Sequence, residues 1–351
     1  MSGLDPDQTS PAEGEVDDSM TLVLSVDPLK PAAEAIRQAA DVILSGGLVA
    51  FPTETVYGLG ANALNPQAVA RIFEAKGRPA TNPLIVHVAD TDSVLNVVTE
   101  WPETAVRLTA RFWPGPLTIV TSRHTVVPDM VTAGGSTVAV RCPAHPVARE
   151  LIRIAGVPIA APSANRSAEL SPTRAQHVLR GLNDRIAMVL DGGACPCGIE
   201  STVVDVTGTV VRLLRPGVIT VPMLEEVVGG VVVGPGHEIV ARSPGLMTKH
   251  YSPRTPIRLC TDEYPMGVSD ISWRAGKKWG FVHFLGSAGP SVNGVVLRGL
   301  SENPQSAAAD LFEALHSLDE AELDGIAIIM PPDTPEWAGV RDRLIRAAAE
   351  P

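Results

Sequence analysis

Short apolar runs alternating with capped helical segments constrain the fold of this chain more than any other feature. Apolar residues at helical spacing fill 31–45 (Ala35, Ile36, Ala39, Ala40, Val42, Ile43), and Gly46-Gly47 closes that segment as a C-terminal glycine should. Residues 48–51 read as a buried strand stopped by Pro52. Asn65-Pro66 opens the next helix, with Asn as cap and Pro at the first helical position, and that helix runs to about Lys76. Further strands are predicted at 84–88, 117–121, 137–141, 158–161, 188–190, 202–206 and 210–214. Helices are predicted before Pro114, over 146–155, and from a Ser171-Pro172 cap to Leu182. Such alternation predicts an α/β domain built on a mixed, twisted sheet. Ligands in these sheets collect beyond strand ends, where loops converge. The polar clusters fall there: Pro52-Thr53-Glu54-Thr55, Arg141, Ser163-Ala164-Asn165 and Glu200-Ser201-Thr202.

The chain of 351 residues suits two cores. The catalytic candidate spans 21–228, a Gly- and Pro-rich linker 229–256, and a smaller α/β unit 257–351. The smaller unit carries strands at 279–284 and 325–330 and helices at 304–318 and 341–349. Aromatics are only 4% of the residues, so the cores must rest on Val, Leu, Ile and Ala. Residues 1–20 hold six acids and no base, which fails as a signal peptide and reads as a disordered acidic tail. No apolar run is long enough to span a bilayer, and the cytoplasm is the expected compartment. The net charge of −11 is uneven, with eight bases against fourteen acids in 257–351 and a nearly neutral stretch over 21–256. That middle is where anionic ligands are least repelled, while the acidic balance argues against broad non-specific nucleic-acid binding. Cys142, Cys195, Cys197 and Cys260 lack the paired spacing of a zinc site and read as reduced thiols.

Lys76-Gly77-Arg78 places two cations one residue apart beside a glycine, a pattern that can hold a polyphosphate close to the backbone. Cations at a helix end also favour the helix dipole without any ligand. Asn82-Pro83 leads from them into a strand on which His87 faces away from Leu84, Val86 and Val88. Thr53 and Thr55, two apart on extended chain, share one side. Arg141 ends a strand and can grip a carboxylate with two parallel hydrogen bonds, or form a surface ion pair. There is no phosphate-loop lysine motif, no dinucleotide glycine fingerprint and no Gly-x-Ser-x-Gly elbow.

Taken in order, these motifs resemble those of the threonylcarbamoyl-AMP synthases, the YrdC-like family. Residues 46–60 look like its opening motif, and Lys76-Gly77-Arg78-Pro79 with Asn82-Pro83-Leu84-Ile85-Val86-His87 like its second block. Trp113-Pro114-Gly115-Pro116-Leu117-Thr118, Val138-Ala139-Val140-Arg141 and Ala161-Pro162-Ser163-Ala164-Asn165 follow. Residues 198–205 and Leu214-Arg215-Pro216-Gly217 complete the set, over about 29–222. Residues 243–253 are similar to the linker of longer members. The end of the chain, 337–344, departs from that family's glycine-rich, asparagine-containing ending.

The resemblance implies a YrdC-like twisted mixed sheet with flanking helices, followed by a Rossmann-like C-terminal α/β domain. It implies synthesis of L-threonylcarbamoyladenylate from L-threonine, bicarbonate and ATP, with release of pyrophosphate, for threonylcarbamoyladenosine modification of tRNA. By motif position, Thr55, His87, Arg141, Ala161 and Ser201 would contact threonine. Arg78, Asn82, Thr137, Ser163, Ser171, Arg215 and Tyr251 would contact the nucleotide. Lys76, Arg78, Ser163 and Asn165 would carry the catalytic motifs. Mg²⁺ would ride on the ATP phosphates rather than in a protein cage. The linker, with Lys249 and Tyr251, is the expected lid. Expected partners are tRNA or double-stranded RNA and a threonylcarbamoyl-transferase complex that receives the product, with no membrane. Two rival readings are a pure RNA-binding module and carbamoyl transfer in hydrogenase maturation. The second would need an acylphosphatase module and paired cysteine clusters, neither of which the sequence contains.

Overall fold

A computed structural model of the chain describes residues 20–234, 250–260, 277–286 and 295–349. The acidic tail over 1–19, the linker over 235–249 and Lys249 lie outside the described residues. Fifteen strands are described: β1 (Leu22–Ser25), β2 (Val49–Phe51), β3 (Gly58–Asn62), β4 (Ile85–His87), β5 (Leu117–Ser122), β6 (Thr137–Arg141), β7 (Ile159–Ala160), β8 (Met188–Asp191), β9 (Thr202–Asp205), β10 (Val211–Arg215), β11 (Val231–Val233), β12 (Ile257–Cys260), β13 (Trp279–His283), β14 (Val295–Gly299) and β15 (Gly325–Ile329). The helices are α1 (Ala33–Leu44), α2 (Pro66–Lys76), α3 (Glu103–Phe112), α4 (Asp129–Thr132), α5 (Pro146–Ala155), α6 (Ala175–Leu182), α7 (Val221–Val228), α8 (Pro304–Asp319) and α9 (Ala338–Ala348).

The first sheet runs β1-β8-β2-β3-β7-β4-β6-β5-β9-β10-β11 and is mixed. β4 and β6 are parallel, with His87 opposite Arg141, while β7 lies antiparallel to β4. Alternation of side chains sets the layers. Val49 and Phe51 pack with α1 and α5 on one face. Ala50, between them, packs with α2 and α6 on the other. Helices α3 and α7 cover the β5–β9–β10 end. The second sheet, β12-β15-β13-β14, is wholly parallel, as a Rossmann-like unit requires. Its core merges with Val56, Leu170, Ile199 and Tyr251 of the preceding part, so α8 and α9 seat directly on the loops of the first sheet.

Local chemistry explains several element ends. The Asn65 side chain accepts from the amides of Gln67 and Ala68, capping α2 as its sequence predicts. Gly77 closes α2 in the left-handed region, at φ 60°, which glycine adopts without penalty. Other elements differ from expectation. Ser171 does not cap α6, which starts at Ala175, because the Ser171 hydroxyl donates to Glu200 instead. Strand β3 is absent from the sequence reading because it holds two glycines. Gly60 is required there: a Cβ would come within 2.6 Å of the Phe51 ring. Strand β11 adds an edge to the first sheet within the segment read as linker.

Candidate active site

Loops at strand ends close around one small cavity of about 50 Å³. Its lining includes Thr55, His87, Arg141, Ala161 and Ser201 together with Arg78, Ser163, Arg215 and Tyr251. Every one of these except Ser163 is buried.

The Thr53 and Thr55 hydroxyls lie 2.8 Å apart, not through the expected extended chain but because the chain bends over 54–56, where the Thr53 hydroxyl accepts from the amides of Thr55 and Val56. Arg141 is buried rather than at the surface. Its Nη1 donates to Thr55 Oγ1 at 2.9 Å and its Nε to the Gly115 carbonyl at 3.3 Å. Its Nη2 lies 2.6 Å from Glu54 Oε1, but off hydrogen-bonding geometry, so both groups remain open to a better partner. Burial, with Arg141 beside it, pushes the His87 pKa down to about 3. His87 is therefore a neutral imidazole at pH 7, and its Nδ1 has no hydrogen-bond partner. Ser201 exchanges a 2.8 Å hydrogen bond with Thr118, fixing the start of β9.

Arg78 donates from Nε to the Asn82 carbonyl at 3.1 Å and from Nη2 to the Pro83 carbonyl at 2.9 Å. Burial lowers its pKa to about 10, which leaves it charged at pH 7. Arg215 donates from Nε to the Ser201 carbonyl and from Nη2 to the Ser201 hydroxyl, at 3.1 and 3.2 Å. Tyr251 sits at φ 62°, a left-handed conformation costly for a bulky residue. Its hydroxyl is buried without a hydrogen-bond partner, as is Nδ1 of the adjacent His250.

Four of the expected site residues stand back from the cavity, and Asn82 shapes it through its backbone. Lys76 departs from the picture of an ammonium held open for phosphate. Its Nζ is buried and donates to the carbonyls of Ser163, at 2.6 Å, and Asn165. Burial first, and then Arg78, holds its pKa well below that of an ordinary lysine. Asn165 donates to the carbonyls of Arg166 and Glu169, both at 2.9 Å, bracing the same loop. Ser171 is bonded to Glu200, and Thr137 begins β6 opposite Ser122. The sequence reading placed Glu200 in a polar cluster at a strand end but gave it no role, and it did not assign His250 or Arg343 to the site. His250 precedes Tyr251 and Glu200 precedes Ser201, so adjacency was a usable signal for both. Arg343 reaches Glu200 from 143 residues away and carried none.

Among the described residues no group of three or more His, Cys, Asp or Glu side chains could hold a metal ion. None of the four cysteines is in a disulfide, and burial raises the pKa values of Cys142 and Cys197 to about 11.

Residues 41–217 match the Sua5–YciO–YrdC family model, described as "Telomere recombination", and residues 219–349 match the model of the threonylcarbamoyl-AMP synthase C-terminal domain. The chain is 42% identical over 320 residues to the threonylcarbamoyl-AMP synthase of Bacillus subtilis (strain 168), covering 89% of this chain and 92% of that protein. It is 43% identical over 298 residues to the enzyme of the same name from Pyrococcus abyssi, covering 83% and 87%. The crystal structure of P. abyssi Sua5 complexed with L-threonine superposes with a TM-score of 0.86 at 40% identity, over 93% of this chain and 98% of that one.

Proposed function

The chain belongs to the threonylcarbamoyl-AMP synthase family, and on that premise we propose that its cavity makes L-threonylcarbamoyladenylate from L-threonine, bicarbonate and ATP. One observation carries the reading. A buried arginine for a carboxylate, Arg141, and two buried arginines for phosphates, Arg78 and Arg215, converge on a single cavity that the hydroxyl side chains of Thr53, Thr55, Ser163, Ser201 and Tyr251 also line.

The chemistry follows from that layout. Threonine's amine joins bicarbonate to form a carbamate, with loss of water. A carbamate oxygen then attacks the α-phosphorus of ATP, and pyrophosphate leaves. The threonine carboxylate displaces Glu54 from Arg141 and gains two parallel charge-assisted hydrogen bonds. Thr55 and Ser201 present hydroxyls to the amino acid, and Ala161 leaves room for it. Arg78 and Arg215 stabilise charge that gathers on the phosphates, in a site dry enough to make such contacts strong. Lys76 and Asn165 hold the Ser163 loop against the nucleotide, with Asn82 and Ser171 shaping the same wall and Thr137 on β6 below it. Mg²⁺ enters as the Mg–ATP substrate and supplies further neutralisation of the phosphates.

A cavity of about 50 Å³ admits a few waters, not a nucleotide. Entry of ATP therefore requires His250 and Tyr251 to swing away, and the left-handed Tyr251 backbone stores strain that such a movement relieves. His250 and Tyr251 are in the described part of the linker and lid expected over 229–256, between a catalytic unit over 21–228 and an accessory unit over 257–351; residues 235–249 lie outside the described residues.

The adenylate is passed to a threonylcarbamoyl-transferase complex acting on tRNA in the cytoplasm. No helix among the described residues is long and apolar enough to cross a membrane. A salt-sensitive gel shift tests direct contact with tRNA or double-stranded RNA. The reaction itself is tested by pyrophosphate release with threonine and bicarbonate omitted in turn; release indifferent to threonine would refute the reading.

A further inference from the structure

We propose that Arg343, carried by α9 of the second domain, is a positioning residue of the nucleotide site and acts through Glu200. The inference rests on the adenylate-forming reading for what the cavity binds. Arg343 is 1% exposed and is among the largest fully buried side chains of the protein. Its Nε donates to Glu200 Oε2 at 2.7 Å and its Nη2 to the Glu200 carbonyl at 3.2 Å. Its Nη1 donates to the Pro216 carbonyl at 2.9 Å, and the guanidinium carbon lies 5.2 Å from the centre of the Tyr251 ring. One side chain thus ties together the loop before β9, the loop after β10 and the Tyr251 ring.

The charge balance gives this arrangement its purpose. Glu200 borders the cavity beside Arg215. A carboxylate left unpaired there would repel a polyphosphate and compete with it for Arg215. Arg343 takes one carboxylate oxygen and the Ser171 hydroxyl takes the other, so Glu200 is satisfied away from the phosphate path. Burial opposes the charge on Arg343, but Tyr251, Glu200 and Asp342 outweigh it and hold its pKa above that of an ordinary arginine. The second domain therefore completes the nucleotide wall from behind.

Removing one partner of a buried ion pair leaves the other uncompensated, whereas removing both is often close to neutral. That difference gives the test. In the full-length protein, affinity for a non-hydrolysable ATP analogue is measured by calorimetry, with the melting temperature, for wild type, Arg343→Met, Arg343→Lys and the double variant Arg343→Met/Glu200→Gln. Arg343→Met should bind the analogue at least about tenfold more weakly with threonine affinity unchanged. Arg343→Lys should recover part of the loss and the double variant most of it. Wild-type affinity in Arg343→Met would overturn the proposal. So would a double variant that melts like wild type yet binds the analogue as weakly as Arg343→Met. Should Arg343→Met not fold, the lysine and double variants carry the comparison. Pyrophosphate release by wild type is followed in parallel. If wild type binds the analogue but releases none in response to threonine, the adenylate reading fails while the Arg343 comparison still stands.

Discussion

Replacing Lys76 by Met separates two roles that the same side chain could play. Its Nζ donates to the Ser163 carbonyl at 2.6 Å and to the Asn165 carbonyl, and it lies 3.5 Å from Asn165 Oδ1. Methionine keeps most of the stem's packing but leaves two buried carbonyls without their donor. Each orphaned acceptor costs about 1–3 kcal/mol, so the pair costs about 2–6 kcal/mol. Relief from burying the amine, which burial already holds well below its usual pKa, offsets part of that. A net loss of about 3 kcal/mol should lower the melting temperature by roughly 6–12 °C in a domain of this size. Pyrophosphate release should fall with it, because Ser163 lines the cavity and its loop is no longer braced. The assay is a thermal melt paired with threonine-dependent pyrophosphate release at saturating substrates. A variant that melts within about 2 °C of wild type but has lost turnover would refute the bracing argument and place the ammonium on the phosphates.

Three further outcomes follow from the geometry. Arg141→Lys keeps the charge but loses the fork, so the KM for threonine should rise by roughly 10- to 150-fold, matching about 1.5–3 kcal/mol for a charged hydrogen bond; steady-state kinetics at saturating ATP would show an unchanged KM if Arg141 holds no carboxylate. Tyr251→Phe removes a buried hydroxyl that has no partner, so the melting temperature should hold or rise while ATP binds more weakly; a drop in melting temperature would reveal a protein partner for that hydroxyl. Burial depresses His87, His177 and His250 to about 3. The unfolded chain takes up a proton at each below about 6.5 and the folded chain does not, so their stabilisation is full above that pH and is lost as pH falls towards 3. At pH 5 the loss approaches about 2 kcal/mol per histidine, and melts between pH 7.5 and 5 should show it, with a shallower slope in His177→Asn.

Much of the catalytic half was legible because its signals are local. The Asn65 cap and the left-handed Gly77 are decided within one helical turn, and α2 ends where its sequence says. Strand β6 and helix α5 were likewise readable, since each holds a clean apolar pattern bounded by Pro or Gly. Strand β3 was not, because its glycines answer to the Phe51 ring and Ile159 rather than to any local preference. Ser171 carried a true capping signature, and a distant carboxylate claimed its hydroxyl instead.

The site divides in the same way. The order of motifs along the chain was enough to show a resemblance to the family and its reaction, and by motif position it offered Thr55, His87, Arg78, Arg141, Ser163, Ser201 and Arg215, with Lys76 and Asn165, as candidate site residues. Only the tertiary structure decided which of them face the cavity and which stand behind it. Lys76 is turned onto the backbone of the Ser163 loop, and Glu200 is claimed by an arginine from the other domain. The physical reason is burial. A charged group withdrawn from water must find its partner wherever the fold brings one, and spacing along the chain says nothing about a neighbour 143 residues away.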